Sequence, residues 1–287
     1  MSVQITTAFV QQFSSNVQLL SQQMGSLLRS SVAEESVTGE KAFFEQIGST
    51  AAVKRTTRHG DTPLVESPHS RRMVTMDTYE WADLIDSPDR VRLLISPEST
   101  YARAAAAAMG RAVDDAIIAA ATGTAKTGKA GATSTAIGAS QQIANGSADM
   151  TLAKLIQAKK ILDLGDVDPS IPRYIVVGPN QMEALLNLTS VTSSDFNTVK
   201  ALVRGEIDTY LGFKFIVSNR LSIASNIRTC FAWAQDGIKL GVGADLTSRI
   251  DERADKAYST QVFCTQTFGA VRLEESKVVQ LDCDESA

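Results

Sequence analysis

The stretch Gly205-Glu-Ile-Asp-Thr-Tyr-Leu-Gly-Phe-Lys-Phe-Ile-Val-Ser-Asn-Arg-Leu221 carries the most specific local pattern in the chain. Its apolar run Phe213–Val217 follows a glycine and precedes a Ser-Asn pair, which predicts a short strand between two turns. A second run of this kind, Arg173–Val177, is followed by Gly178-Pro179 and by a helical pattern over residues 180–188. The middle of the chain therefore has an α/β pattern.

Further strands are predicted toward the C-terminus, and one further helix precedes the central region. The helix covers residues 151–164. The strands cover residues 230–233, 238–242, 257–268 and 278–281. Because helices dominate early in the chain and strands dominate late, we predict an α+β fold with a mainly antiparallel sheet.

A long helix is predicted over residues 97–121. Ser96 can cap its first turn, Pro97 suits the first helical position, and Gly123 follows its end. Its apolar residues, most of them alanine, follow helical spacing on one broad face. Since alanine lets neighbouring backbones approach closely, we expect this helix to be the central strut of the fold.

Residues 49–80 predict a long β-hairpin that turns at Gly60-Asp61. The basic residues of this segment are Lys54, Arg55, Arg58, Arg71 and Arg72. Between Lys54 and Arg72 the acidic residues are Asp61 and Glu66, so five basic and two acidic side chains give this span a local charge of +3. A hairpin with so few apolar residues is not stable alone, so we expect it to lie on another surface. A solvated flap is the alternative.

An amphipathic helix is predicted near the N-terminus. Its apolar stripe consists of Val10, Phe13, Val17, Leu20, Met24 and Leu27. The opposite face is rich in Gln, Ser and Asn and lacks charge, so the helix should depend on a docking surface. Its own domain and a neighbouring molecule are both open as that surface.

Residues 123–149 are rich in Gly, Ala, Thr and Ser, which predicts a mobile loop. Gly123-Thr-Ala-Lys-Thr-Gly-Lys-Ala130 approaches the pattern of a phosphate-binding loop. A helix precedes it instead of a strand, low-complexity sequence follows it, and Ala130 stands where Ser or Thr would bind magnesium. Nucleotide binding is therefore not expected.

The composition argues against several functional classes. The chain has 287 residues, 44% of them hydrophobic, and a net charge of −4. This charge has the wrong sign for a protein whose whole surface binds a polyanion. The longest apolar runs, residues 104–109 and 116–121, are far shorter than the roughly 20 residues that cross a bilayer, so no membrane partner is expected.

Cysteine and histidine are scarce. Cys230, Cys264 and Cys283 form no CxxC pair, so neither a structural zinc site nor a disulfide framework is expected. His59 and His69 lie in a segment rich in Pro, Arg and Ser, which disfavours a Ser-His-Asp hydrolase. We therefore predict no catalytic residue, no cofactor and no metal site.

The order of these segments resembles that of the major capsid proteins of tailed phages with the Hong Kong 97-like fold, and the similarity spans nearly the whole chain. The residues that carry it are the N-terminal stripe, the basic hairpin, the long helix, the run that begins at Arg173, residues 205–221, and the step Phe268-Gly-Ala-Val271. The stretch 205–221 looks like the family's G-x-I-x-x-x-x-G-F-x-V-x-x-S-N pattern.

The resemblance implies a division of the chain into functional parts. These are an N-terminal arm (1–45), an extended hairpin or E-loop (46–80), a peripheral domain with a spine helix (81–122 and 245–287), a flexible loop (123–149) and an axial domain (150–244). Such chains form hexamers and pentamers of an icosahedral shell around double-stranded DNA, which they do not read by sequence. The resemblance further implies location in the virion, assembly in the host cytoplasm, and partners such as a separate scaffolding protein, a portal and a decoration protein.

Contact between copies is expected through the arm and the hairpin. The candidate contact residues are Val10, Phe13, Val17, Leu20, Lys54, Arg55, Arg58, Arg71 and Arg72. Acidic residues near the C-terminus are candidate partners for the basic ones on a neighbouring copy: Glu274, Glu275, Asp282, Asp284 and Glu285.

Two alternatives remain open at this point. An encapsulin-type bacterial nanocompartment shares the fold and would enclose an enzyme instead of DNA. A soluble enzyme that uses Asp and Glu is the second alternative, although Asp114 and Asp115 are adjacent and would diverge around a helix.

Overall fold

The computed structural model describes residues 21–58, 60–62, 64–85, 98–187 and 209–286. Val10, Phe13, Val17, Leu20, His59 and the predicted helix cap at Ser96-Pro97 lie outside these residues. The described helices are α1 (Glu98–Thr122), α2 (Leu152–Leu164) and α3 (Pro179–Asn187). The first eight strands are β1 (Ala33–Ser36), β2 (Lys41–Ile47), β3 (His69–Thr75), β4 (Asp77–Ile85), β5 (Ala125–Thr127), β6 (Thr133–Thr135), β7 (Gln142–Ile143) and β8 (Arg173–Val177). The remaining strands are β9 (Thr209–Tyr210), β10 (Phe213–Val217), β11 (Ile223–Ala224), β12 (Ile227–Ala234), β13 (Ile238–Arg253), β14 (Ser259–Arg272) and β15 (Val278–Asp284).

The chain divides into two compact units. Unit 1 is drawn from Met1–Ser26, Thr78–Val113 and Ala244–Thr267. Unit 2 is drawn from Leu27–Asp77, Asp114–Gly243 and Phe268–Ala287. A four-stranded sheet of order β1-β13-β14-β4 takes strands from both units.

The core of unit 1 forms where the alanine-rich part of α1 meets β14. Ala105, Met109 and Cys264 are buried together, and Tyr79 and Trp81 of β4 pack against them. The small alanine side chains allow this close approach. The predicted long helix is confirmed and its bounds shift by one residue at each end. It ends as expected, because the Gly123 N–H donates to the Ala119 carbonyl at 2.9 Å.

A seven-stranded sheet organises unit 2. Its order is β7-β15-β12-β8-β10-β9, and β11 pairs with β12. Phe231 and Trp233 of β12 are fully buried, with their ring centroids 4.9 Å apart. Strands β8 and β10 pair in parallel from Arg173↔Phe213 to Val177↔Val217, at the bounds predicted from their apolar runs. Most of the other pairs described are antiparallel, as expected, although β1 with β13 and β15 with β7 are also parallel.

The hairpin differs from its prediction. Its strands are β2 and β3, paired from Lys41↔Thr75 to Ile47↔His69, and the described residues between 48 and 68 form no strand. The position of the strands follows from burial: Phe44 and Val74 enter a cluster with Met76, Ala125 and Val271. Residues 49–68 offer no comparable set of apolar side chains, so the strands do not reach Gly60-Asp61, which lies within the segment that joins β2 to β3.

Two other predicted segments also differ. Residues 123–149 are not a continuous loop, because β5 extends the hairpin sheet through Arg72↔Thr127 and Met73↔Lys126 and β6 pairs with β5. β15 pairs along β12 from Asp284↔Ile227 to Val278↔Trp233. Residues 268–287 therefore belong to unit 2, and they do not lie with unit 1 as the predicted peripheral domain required.

The end of the predicted N-terminal helix is not helical. Residues 21–28 have no α-helix, and Gly25 adopts φ +82, which a right-handed helix excludes. Met24 and Leu27 are exposed, whereas Leu28 is fully buried. The apolar stripe therefore does not extend to Leu27 as one helical face.

Candidate inter-subunit surface

The segment that joins β2 to β3 is exposed at every described position, 48–58, 60–62 and 64–68. It carries Lys54, Arg55 and Arg58, and none of these three forms an ion pair with another described residue. The Arg55 Nε–H donates to the Thr57 carbonyl at 3.0 Å, which is a local bond. Three cations are thus available for a partner.

Apolar side chains are exposed beside these cations. Ile47 is 68% exposed, Val53 57%, Leu64 95% and Val65 47%. Several exposed apolar side chains close together in one segment are typical of a surface that another molecule covers. The mixture of arginine and aliphatic groups also matches the composition of interfaces.

Arg71 lies on the exposed face of the hairpin sheet. Its guanidinium forms an ion pair of 2.5 Å with Glu45, which faces it across the strand pair, and it lies 5.5 Å from the ring centroid of Phe43. Both side chains of the pair are more than one-third exposed, so the pair is worth little to stability. Arg71 remains accessible to a partner.

Arg72 does not fit its predicted role, because it is buried and bonded within its own chain. Its residue is 8% exposed. The Arg72 Nε–H donates to the Leu273 carbonyl at 2.7 Å, and Nη2 donates to Glu275 Oε2 at 2.5 Å. Strands alternate their side chains between two faces, so Arg71 points outward where Arg72 points inward.

Glu275 also faces a second buried cation, Arg272, at 3.7 Å. Nη1 of Arg272 donates to the carbonyls of Ala121 at 2.9 Å and Gly123 at 2.7 Å. These bonds satisfy carbonyls at the end of α1. Burial lowers the pKa of Arg272, while the Glu275 charge acts in the opposite direction. The arginine therefore ties the helix end to β14.

The acidic residues near the C-terminus are also bonded within the chain. Glu274 pairs with Lys277 at 3.2 Å, and Glu285 pairs with the buried Arg228. The bond from Arg228 lowers the pKa of Glu285 below its usual range. Asp284 accepts from Ser286. The prediction that this acidic group meets the basic hairpin of a neighbour loses its support for Glu275 and Glu285.

Sequence reasoning missed one contact of the stretch 205–221. Arg220 binds Asp115 of α1 through two parallel hydrogen bonds, one of them from Nε to Oδ1 at 2.6 Å. This bond raises the pKa of Arg220, and the charge of Asp114 adds to the effect. Both residues lie in unit 2. The stretch therefore links the seven-stranded sheet to α1, and a bidentate partner for Arg220 could not be read from spacing.

A groove of about 770 Å³ lies at the base of the hairpin in unit 2. Its charged lining consists of Arg72, Lys239, Lys277, Asp166, Asp236 and Glu274. Lys239 pairs with Glu35, and Lys277 pairs with Asp236 at 2.7 Å. Since its cations are paired and the lining charges balance, the groove does not favour a strongly charged ligand.

In the described part of the chain, no group of three or more His, Cys, Asp or Glu side chains is placed to hold a metal ion. None of the described helices combines the length and the hydropathy of a transmembrane span.

Comparison with known proteins shows which family and which solved structures this chain is similar to. The chain matches the family model of the phage capsid protein over residues 5–285. No curated protein sequence matches it.

Three solved structures illustrate the similarity. The capsid of cyanophage P-SCSP1u has a TM-score of 0.74 at 17% identity, covering 97% of this chain and 94% of that one. Mycobacterium phage Che8 has a TM-score of 0.69 at 17% identity, covering 97% and 98%. The capsid of a native GTA particle has a TM-score of 0.71 at 11% identity, covering 96% of each chain. At these identities the likeness is one of fold.

Proposed function

The chain belongs to the phage capsid protein family, and we propose on this basis that its copies assemble as hexamers and pentamers into an icosahedral shell around double-stranded phage DNA. It is a structural capsid protein with the Hong Kong 97-like fold. The observation that carries the proposal is the family match over residues 5–285. The finished shell is a virion component, and assembly takes place in the host cytoplasm.

The family match also bears on the two alternatives. It is a match to phage capsid proteins, which favours a virion over an encapsulin-type compartment. The enzyme alternative would need carboxylates placed for catalysis, and the adjacent pair Asp114 and Asp115 diverges around the helix. Asp115 is bound to Arg220, and the Asp114 side chain is buried, so this pair has a structural use.

The division of labour follows the two units. Unit 1 gathers most of α1 with the outer parts of β13 and β14, which supports a peripheral domain, without residues 268–287. The seven-stranded sheet of unit 2 supports an axial domain around residues 150–244, completed by β7 and β15. The predicted arm of residues 1–45 is shortened here to residues 1–26, because Leu28, Ser31 and Val32 are buried in unit 2. Residues 46–80 serve as the extended hairpin.

Contacts between copies use the exposed segment 48–68. Lys54, Arg55, Arg58 and the exposed face of Arg71 supply charge, and the aliphatic side chains supply buried area. Val10, Phe13, Val17 and Leu20 supply the apolar contact of the arm. Each contact is weak alone, but every copy makes several, so the shell is stable through avidity.

The test is reversal of the three free cations. The variant Lys54→Glu, Arg55→Glu, Arg58→Glu should keep the circular dichroism of the wild-type chain, because these exposed side chains form no ion pair with the described residues and the bond of Arg55 to Thr57 is local. It should fail to form shells or capsomer rings in sedimentation velocity and electron microscopy. The matched control, Lys54→Arg, Arg55→Lys, Arg58→Lys, keeps the charges and should assemble. Normal shells from the reversed variant would contradict the assignment of this surface.

The remaining partners follow from the proposed shell. A scaffolding protein directs assembly, a portal occupies one vertex and a decoration protein covers the outside. DNA is enclosed without sequence recognition. A chain of net charge −4 suits this role, because each added phosphate contact would strengthen a salt-dependent attraction that traps the genome on the wall.

A further inference from the structure

Asp114 accepts hydrogen bonds from two successive backbone amides, those of Leu27 and Leu28, which follow the arm. Its side chain is fully buried on α1. Oδ2 accepts from the Leu27 N–H and Oδ1 from the Leu28 N–H, each at 3.1 Å. These amides directly precede a 3-10 turn, Arg29–Ser31, so a charged acceptor from a distant part of the sequence fixes the backbone where this turn begins.

The chain is fixed immediately after this point. Leu28 and Ser31 are fully buried, and Val32 is 4% exposed. The Ser31 N–H and hydroxyl both donate to the Leu28 carbonyl, at 2.9 and 2.7 Å. The Ser31 carbonyl accepts from the indole N–H of the buried Trp233 at 2.9 Å. Residues 28–32 are therefore part of the body of unit 2.

Immediately before this point the chain lies against α1, within unit 1. Met24 is 54% exposed. Arg111 Nη1 donates to the Gln22 side chain at 3.0 Å and to the Gln23 carbonyl at 3.2 Å. A Cβ atom at Gly110 would lie 2.5 Å from Gly25 Cα, so the backbone crosses α1 where the helix has no side chain.

We propose that Asp114 is the anchor of the N-terminal arm, which makes Leu27 the fixed point from which the arm leaves the subunit. This inference rests on the proposed function, since it gives every copy in a shell the same exit point for the arm.

The adjacent carboxylate provides a matched control. Asp115 is exposed and bound to Arg220, and it contacts neither amide. Asp114→Asn and Asp115→Asn are the same isosteric change one residue apart. Asparagine at 114 would replace one of the two carboxylate oxygens by an NH2 group, which is a donor and cannot accept from the N–H that this oxygen serves.

The experiment is hydrogen exchange on the unassembled full-length chain. A hydrogen bond to a charged group is worth about 1.5–3 kcal/mol, so Asp114→Asn should accelerate exchange at Leu27 and Leu28 by about tenfold or more. Asp115→Asn should leave these amides as in the wild type. Wild-type exchange at both amides in Asp114→Asn, or equal acceleration in both variants, would overturn the anchor.

A second variant keeps the test decisive if Asp114→Asn does not fold. Gly110→Ala should lift residues 22–26 from α1 and accelerate exchange there, while Leu28 stays protected. Loss of protection at Leu28 in this variant would place the anchor upstream and contradict the proposal. Because these readouts use single chains, failure of the anchor is distinguishable from failure of shell assembly, which electron microscopy of the same samples reports.

Discussion

Arg72 and Glu275 are 203 positions apart in the sequence, and their side chains form a largely buried ion pair with an N···O distance of 2.5 Å. The same carboxylate faces Arg272, which binds the carbonyls at the end of α1. One acidic residue therefore lies between two buried guanidinium groups. It joins the base of the exposed hairpin to the end of the long helix.

Glu275→Gln should destabilise unit 2 by about 2–3 kcal/mol, because it leaves Arg72 and Arg272 buried without a counter-charge. The measurement is urea unfolding followed by the fluorescence of Trp233 in a Trp81→Phe background, which removes the second tryptophan. Glu45→Gln is the control. It breaks the exposed pair with Arg71 and should change stability by less than about 1 kcal/mol. Equal effects of the two changes would contradict the role given to Glu275.

The pair of Glu285 with Arg228 should make stability depend on pH. Because the pKa of Glu285 is lower in the folded chain, the pair stabilises the fold above the unfolded pKa of about 4, and this contribution is lost as the pH falls through the folded value. Glu285→Gln should therefore be less stable than the wild type at pH 7, with a difference that shrinks below pH ~4. Thermal unfolding across this range measures it.

The exposed residue Glu274 serves as a control for this pH dependence. It pairs with Lys277 at the surface, so Glu274→Gln should have a small effect at every pH. A stability deficit of Glu285→Gln that stays constant from pH 7 to pH 3 would contradict the ion-pair explanation, because it would show that the amide fails for a reason other than charge.

Gly269 should not tolerate a side chain. A Cβ atom there would overlap the Thr75 carbonyl oxygen and lie 3.0 Å from Val74 Cγ2. A backbone oxygen cannot move aside cheaply, so Gly269→Ala should cost about 1–3 kcal/mol. Gly138→Ala is the control, since its nearest neighbour would be 3.6 Å away and its φ of −67 suits any residue. Unfolding midpoints within error of each other would refute this prediction.

The sequence predicts elements well where a local pattern determines them. The predicted bounds of strands β8 and β10 agree with the structure at every residue, because a short continuous apolar run between turn residues is typical of a buried strand. The long helix was found within one residue at each end. The glycine in the step Phe268-Gly-Ala-Val271 is part of the family resemblance. The close approach of the Thr75 carbonyl explains why this position needs a glycine.

Elements that depend on distant partners could not be predicted in this way. Residues 125–127, Ala-Lys-Thr, become a strand because β3 offers an edge to pair with. Arg71 and Arg72 are neighbouring arginines with the same charge, and only the strand register decides which of the two is buried. Asp114 differs from Asp115 by one helical position, and its amide partners are 86 and 87 residues away. Composition and spacing carry no information on such pairs.

The most direct test of the central claim is electron microscopy of the purified recombinant chain at high and low salt, combined with limited trypsin digestion. We expect closed shells or capsomer rings in the micrographs. Trypsin should cleave at Lys54, Arg55 and Arg58 in the free chain, and assembly should protect these sites. A chain that stays monomeric or dimeric under all these conditions, while its 48–68 segment already resists trypsin, would contradict the central claim.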